Sequence, residues 1–253
     1  MKPPSGLLLL LEVRALLELG TYFAAQRLLT RISPKNSPRG HHPVLVIPGF
    51  GTSDTMTVPL RQFLTDLGYA AHGWEQGMNL GMNPAVRARL LERVAQLHQT
   101  YGAKISLVGH SLGGVFAREL AKKIPQDIRQ VITLGSPIAG PPGANNIERV
   151  YHFFNPRKHE HVDLHVLQRR RAPPPVPITS IYSRSDGIVA WQCALEKESP
   201  LAENIAVHGS HSGLCFNPLA LYVLANRLSQ PENHWKPFER VQLEKLLFPD
   251  PGH

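Results

Sequence analysis

From residue 43 onward, short apolar runs alternate with segments of helical spacing, and this alternation limits what the chain can fold into. "PVLVI" (43–47) is apolar and β-rich, and it stops at Pro48 and Gly49. Leu60, Phe63, Leu64 and Leu67 then recur at helical spacing within 57–69. Residues 70–74 read as a strand. Residues 83–102 read as a helix, with Asn83 as its cap and Pro84 in its first turn. A strand at 104–110, a helix at 112–124, strands at 130–137, 177–183 and 203–209, and a helix at 217–229 continue the pattern. Strands alternating with helices predict an α/β domain, its mostly parallel sheet covered by helices on both faces. Such sheets bind ligands at the carboxyl ends of their strands.

One junction stands out. "VGHSLGG" (108–114) places Ser111 between Gly109 and Gly113, where a strand ends and a helix begins. A side chain at either glycine would collide with the neighbouring strand or helix, so the serine sits on a tight turn with its hydroxyl raised clear of the sheet. Leu112 offers a backbone N–H at the helix start, where the dipole favours a developing oxyanion. A serine needs a base and an acid to act as a nucleophile. Asp186 lies in "RSDGIV", just past a predicted strand, and is the leading acid; Glu196 and Glu203 are alternatives. "HGSHSGL" supplies two bases, His208 at the strand end and His211 in a loop of small residues that could carry a ring over the serine. His211 is the better placed. His110 reads as packing under the turn, and His42 as a surface residue in a basic stretch. The loop "PGFG" (48–51) lets the backbone approach a substrate carbonyl, so the Phe50 N–H pairs with that of Leu112 as an oxyanion hole.

These stretches ("VIPGFG", "VGHSLGG", "TLGSPIAG", "SRSDGIVAW" and "GSHSGL") resemble the α/β-hydrolase family, most of all bacterial triacylglycerol lipases and carboxylesterases. The resemblance covers roughly residues 43–229. It implies an eight-stranded, mostly parallel sheet, a small helical cap and a Ser-Asp-His triad on Ser111, Asp186 and His211, with Phe50 and Leu112 as oxyanion donors. The chain departs from many members at Pro48, where they carry His, and in "HSGLCFNP", which lacks the Asp of a lipase-type calcium site. The implied activity is cleavage of carboxylic esters, including lipid esters, through an acyl-enzyme, with no cofactor and no metal. A thioesterase or acyltransferase could use the same triad, and a lipid-binding protein could use the same scaffold without catalysis.

The remaining segments set the organisation. Residues 1–42 read as an N-terminal amphipathic helix and a linker, and 43–253 as the hydrolase domain with a cap insertion at about 144–176. Within the insertion Ile147, Val150, Tyr151 and Phe154 recur at helical spacing, so Tyr151 and Phe154 are candidate lid residues over the acyl site. The N-terminal stretch "GLLLLLEVRALLELGTYFAAQRLL" is apolar, but Glu12, Arg14 and Glu18 interrupt it. It is therefore neither a membrane span nor an uncharged signal core. It either packs on the domain or on a second copy, or lies on a membrane surface. This makes the expected location cytoplasmic, with peripheral membrane association as the variant. The net charge of +8 suits anionic surfaces, but no nucleic-acid-binding motif accompanies it. Oligomeric state is not legible. If Asp186 and His211 bond to one another, Cys193 and Cys215 become neighbours, and a disulfide between them would close a loop of about 22 residues.

Overall fold

The computed structural model describes residues 2–33, 42–139, 171–241 and 243–249. Six parallel strands form one sheet in the order β2-β1-β3-β4-β5-β6. They are β1 (Pro43–Ile47), β2 (Ala70–Gly73), β3 (Ile105–His110), β4 (Ile128–Leu134), β5 (Ile178–Ser183) and β6 (Ala202–Val207). Seven α-helices accompany them among the described residues: α1 (Gly6–Leu10), α2 (Ala15–Ile32), α3 (Val58–Asp66), α4 (Pro84–Tyr101), α5 (Leu112–Lys123), α6 (Pro218–Leu228) and α7 (Leu243–Leu247).

Each of the six strands coincides with an apolar run in the sequence. The eight strands implied by the resemblance are not all present: the described sheet has six. Residues 6–32, ahead of β1, are helical and add no strand to the sheet.

The central strands are buried on both faces, and their side chains divide by period two. Val44 and Val46 of β1 join a cluster with Leu60, Phe63, Leu221 and Leu224, from α3 and α6. Leu45 and Ile47 join a second cluster with Leu90, Val94, Phe116 and Leu120, from α4 and α5. Capping follows the sequence. Asn83 Oδ1 accepts the Val86 N–H at 2.9 Å, and Gly102 ends α4 with φ +60°. Asn217 Oδ1 opens α6 by accepting from Leu219 and Ala220 at 2.9 and 3.2 Å.

The N-terminal helices pack on the domain, the first of the alternatives. Tyr22 and Leu29 of α2 are buried in the cluster of α3 and α6, and the Tyr22 hydroxyl donates to the Pro59 carbonyl at 3.0 Å. A short 3-10 turn, Leu11–Arg14, links α1 to α2. His42 is buried rather than on the surface: its Nε2 shares a 2.7 Å hydrogen bond with Ser106 Oγ, beneath Tyr69. The linker ends by feeding β1 into the sheet, and His42 is drawn in with it. The expected cap helices, with Tyr151 and Phe154, fall within 140–170 and lie outside the described residues.

The helix that starts at Ser111 is tied down by a buried ion pair. Arg118 of α5 meets Glu196 through Nε at 2.7 Å and through Nη2 at 2.8 Å. Both side chains are almost wholly buried. Arg118 also donates to the Ala172 carbonyl at 3.1 Å, next to the start of the last strands. Removing one partner of such a pair strands a charge, whereas replacing both with apolar groups does not. Arg118→Met alone is therefore expected to cost about 3–5 kcal/mol of unfolding free energy. Arg118→Met combined with Glu196→Leu should recover most of it. Guanidinium titrations of both variants check this, and equal losses would contradict it.

Candidate active site

The turn between β3 and α5 has the geometry that its glycines foretell. Ser111 sits at φ +52°, ψ −123°, a backbone region that side-chain-bearing residues rarely enter. Its N–H donates to the Leu134 carbonyl of β4 at 2.8 Å, and its carbonyl accepts from Gly114 at 3.1 Å. A β-carbon on Gly109 would strike the backbone of Gly113 and Gly114 in the helix, and one on Gly113 would strike the Ile47 carbonyl of β1. The two glycines thus let a helix end touch two strands, and the strained serine is held between them.

Two further loops meet at the same end of the sheet. After β5, Asp186 turns inward and is buried. Its Oδ1 accepts the N–H groups of Ile188 and Val189, each at 2.8 Å. Its Oδ2 lies 2.6 Å from His211 Nδ1, in the loop after β6. With Nδ1 committed to the carboxylate, the ring directs Nε2 away from Asp186. Gly135, directly after the Leu134 that holds Ser111, leaves room for this pair: a β-carbon there would stand 3.1 Å from His211 Nδ1 and 3.2 Å from Asp186 Oδ2. Ser111 is thus bonded to Leu134, and the next residue, Gly135, borders the Asp186–His211 pair. His208 is exposed and lends only its carbonyl, to Asn217 Nδ2. Glu196 is taken by Arg118, and Glu203 by Arg227 and Thr179.

Electrostatics separate the two neighbouring imidazoles, whose rings are 4.9 Å apart. Burial pushes His110 down to about 3, helped by the charge of His211. His110 is therefore neutral, and its Nε2 donates to the His211 carbonyl at 3.0 Å. Burial also pushes His211 down, but the Asp186 charge, its hydrogen bond and the charge of Glu12 outweigh it, so His211 titrates above its ordinary 6.5.

Phe50 lies in the loop after β1, where the position of a Gly49 β-carbon would be 3.1 Å from Ser111 Cβ. Asn79, wholly buried, shapes that loop: its Nδ2 donates to the Pro48 carbonyl, its carbonyl accepts from Gly51, and its N–H donates to Thr52, each at 2.8 Å. Leu112 is the first residue of α5, so its N–H belongs to the helix turn that lacks intrahelical acceptors. Cys193 and Cys215 are buried in different apolar clusters and are not bridged to one another. The hydrogen bond between their loops is local to Asp186 and His211. Cys193 sits beyond it in a turn whose carbonyl accepts from Ala139, and Cys215 beneath α6. Burial raises the Cys215 thiol to about 12.

The charges that interrupt the N-terminal apolar stretch have a task that sequence reasoning missed. Glu12 Oε1 accepts the N–H of Gly187 and that of His211, both at 2.9 Å, and Oε2 accepts that of Ser212 at 3.2 Å. Glu18 accepts the Ser210 N–H at 2.8 Å and its hydroxyl at 2.9 Å. Arg14 donates to the Ser185 and Gly209 carbonyls at 2.6 and 2.9 Å. The N-terminal segment thus holds the loop of Asp186 against that of His211. Gly187 and Gly213 permit the contact, since a β-carbon would meet the Leu8 backbone at the first and the Glu18 carboxylate at the second. Glu12, Arg14 and Glu18, set among the leucines of residues 7–19, were the available signal.

A family model described as a PGAP1-like α/β domain matches residues 82–187, which include Ser111 and Asp186 but not His211. No curated protein matches the chain. Among solved structures, Aspergillus fumigatus lipase B is similar at 17% identity and a TM-score of 0.57, over 81% of this chain and 57% of that one. The chain thus spans little more than half the length of that enzyme. Metagenome-derived lipolytic enzymes, LipS and LipT, give 15% identity and 0.54, over 78% and 94%. Bacillus licheniformis lipase BlEst2 in its mature form gives 16% and 0.53, over 77% and 94%. The chain has the α/β-hydrolase fold.

The two carboxylates that raise His211 are separable. Glu12→Gln is expected to lower the His211 pKa, and Asp186→Asn to lower it further. Imidazole proton resonances followed by NMR through a pH titration measure both. An unmoved His211 in Glu12→Gln would show that the helix supports the loop without acting on the ring.

Proposed function

We propose that the protein is a serine hydrolase that cleaves carboxylic esters through an acyl-enzyme intermediate. The observation that carries this reading is the buried 2.6 Å pairing of Asp186 with His211, at the sheet end where Ser111 is held in a strained turn. The lipases and lipolytic enzymes that share the fold support the ester as substrate.

In this mechanism Asp186 fixes the tautomer of His211, placing the proton on Nδ1 and leaving Nε2 basic. Nε2 takes the Ser111 hydroxyl proton as Oγ attacks the ester carbonyl. The Phe50 and Leu112 N–H groups stabilise the tetrahedral oxyanion, and one such donor contributes about 3 kcal/mol to the transition state. His211 then gives its proton to the departing alcohol. Water, deprotonated by the same nitrogen, attacks the acyl-enzyme and frees the acid. Asp186 stays ionised throughout and stabilises the imidazolium. The leucine-rich N-terminal surface and the net charge of +8 also fit peripheral contact with lipid.

Ser111→Ala is expected to lower hydrolysis of p-nitrophenyl esters at least ~10⁴-fold and to abolish labelling by a fluorophosphonate. Turnover near the parental rate would remove Ser111 from the mechanism. Matched acyl-CoA substrates distinguish an ester hydrolase from a thioesterase, and ester cleavage should be the faster. The active base is neutral His211, whose pKa is raised. Activity should therefore climb with pH through a midpoint above 6.5. An acid limb centred at or below 6.5 would count against His211 as the base.

A further inference from the structure

The N-terminal helical segment has two faces, and only one of them is used by the domain. Its inner face is fully engaged: Tyr22 and Leu29 in the core, and Glu12, Arg14 and Glu18 on the loops of the candidate site. The segment is therefore fixed in orientation, and its other face cannot turn inward. That outer face is mostly apolar from Leu7 to Phe23. Leu10 and Leu17 are each 75% exposed and Leu16 72%, with Val13, Phe23 and Leu28 exposed beside them. From Gly6 to Ile32 this strip runs roughly 40 Å at helical rise. An exposed strip of this size marks a binding surface.

The charges say what covers it. The segment carries two carboxylates, Glu12 and Glu18, and both turn inward onto backbone N–H groups. The exposed charges along it are cations: Lys2, Arg27 and Arg31. The whole chain carries +8. We propose that this face docks on an anionic bilayer surface, with the leucines and Phe23 entering the headgroup and acyl boundary and the arginines meeting lipid phosphates. A leucine and phenylalanine face flanked by arginines is the pattern of a helix that lies in an interface. Anionic headgroups attract such cations within a screening length. A second copy fits less well, because its matching segment would present the same cations while its own two carboxylates, Glu12 and Glu18, are already engaged by backbone N–H groups. No helix among the described residues is long and apolar enough to cross a membrane. The helix also grips the loops of Asp186 and His211, so a bilayer on its outer face lies beside the site proposed above.

Flotation of the full chain with vesicles tests this without reference to catalysis. The chain should rise with phosphatidylcholine vesicles containing phosphatidylglycerol, rise far less with phosphatidylcholine alone, and be released by high salt. Leu16→Ser with Leu17→Ser, both exposed, should weaken binding to the anionic vesicles at least about tenfold. Arg27→Gln with Arg31→Gln should remove the preference for anionic over neutral vesicles. Failure of the parent chain to float overturns the proposal, and so does unchanged flotation of the leucine variant. A parent that ignores vesicles but sediments as a dimer, which the leucine variant makes monomeric, assigns the face to a second copy instead. Both double variants should cleave a soluble nitrophenyl ester at the parental rate. A chain that floats as described but cleaves no ester would retire the catalytic reading and leave the docking intact.

Discussion

The close approach of α5 to β1 and β3 is the constraint on which the rest of the site depends. Gly109 and Gly113 remove the side chains that would keep the helix start away from the two strands. With that contact made, Ser111 has no relaxed conformation available and is held at φ +52° by bonds to Leu134 and Gly114. The strain is local, and the sheet around it makes up the cost through full burial of β1, β3 and most of β4. Everything else at this end of the sheet is arranged around a serine whose position is already fixed.

The acid and the base sit on loops whose apolar residues, such as Val189 and Leu214, are buried in separate clusters. Their order is electrostatic and backbone-directed. Asp186 is oriented by two N–H groups, His211 by Asp186 on one side and by the His110 ring at its carbonyl. Glu12, Arg14 and Glu18 then brace both loops from outside the domain proper. Buried carboxylates are stable only where donors surround them. Here each loop supplies those donors as backbone N–H groups that would otherwise lack partners.

Much of this was legible in the sequence because local rules and the tertiary structure agree. The six strands follow β-rich runs, Asn83 and Asn217 cap the helices they precede, and the glycines beside Ser111 carry a steric meaning that needs no tertiary knowledge. His211 could be preferred to His208 because small residues surround it, and the structure places it beside Asp186 while His208 is exposed. What was not legible depends on distant partners. Glu12 and Glu18 read only as interruptions of an apolar stretch, because their partners lie nearly two hundred residues away. Nothing in the residues around Asn79 marks it, because its hold on the Pro48 loop arises from tertiary contact alone. The count of strands came from likeness rather than from pattern, and there the helical N-terminus departs from it.

The distance between Glu12 and its partners has a consequence for how the chain is made. The hydrogen bonds that Glu12 accepts from His211 and Ser212 span separations of 199 and 200 residues. At ribosomal rates of about 5–20 residues per second, the leucine-rich segment waits roughly 10–40 s before its acceptors have anything to hold. During that interval the carboxylates of Glu12 and Glu18 are unengaged, because the loops of Asp186 and His211 do not yet exist. The docking that braces the candidate site therefore joins its loops to a segment synthesised about two hundred residues before them. Until it occurs, the nascent protein displays a sticky helix that a chaperone or a membrane can capture.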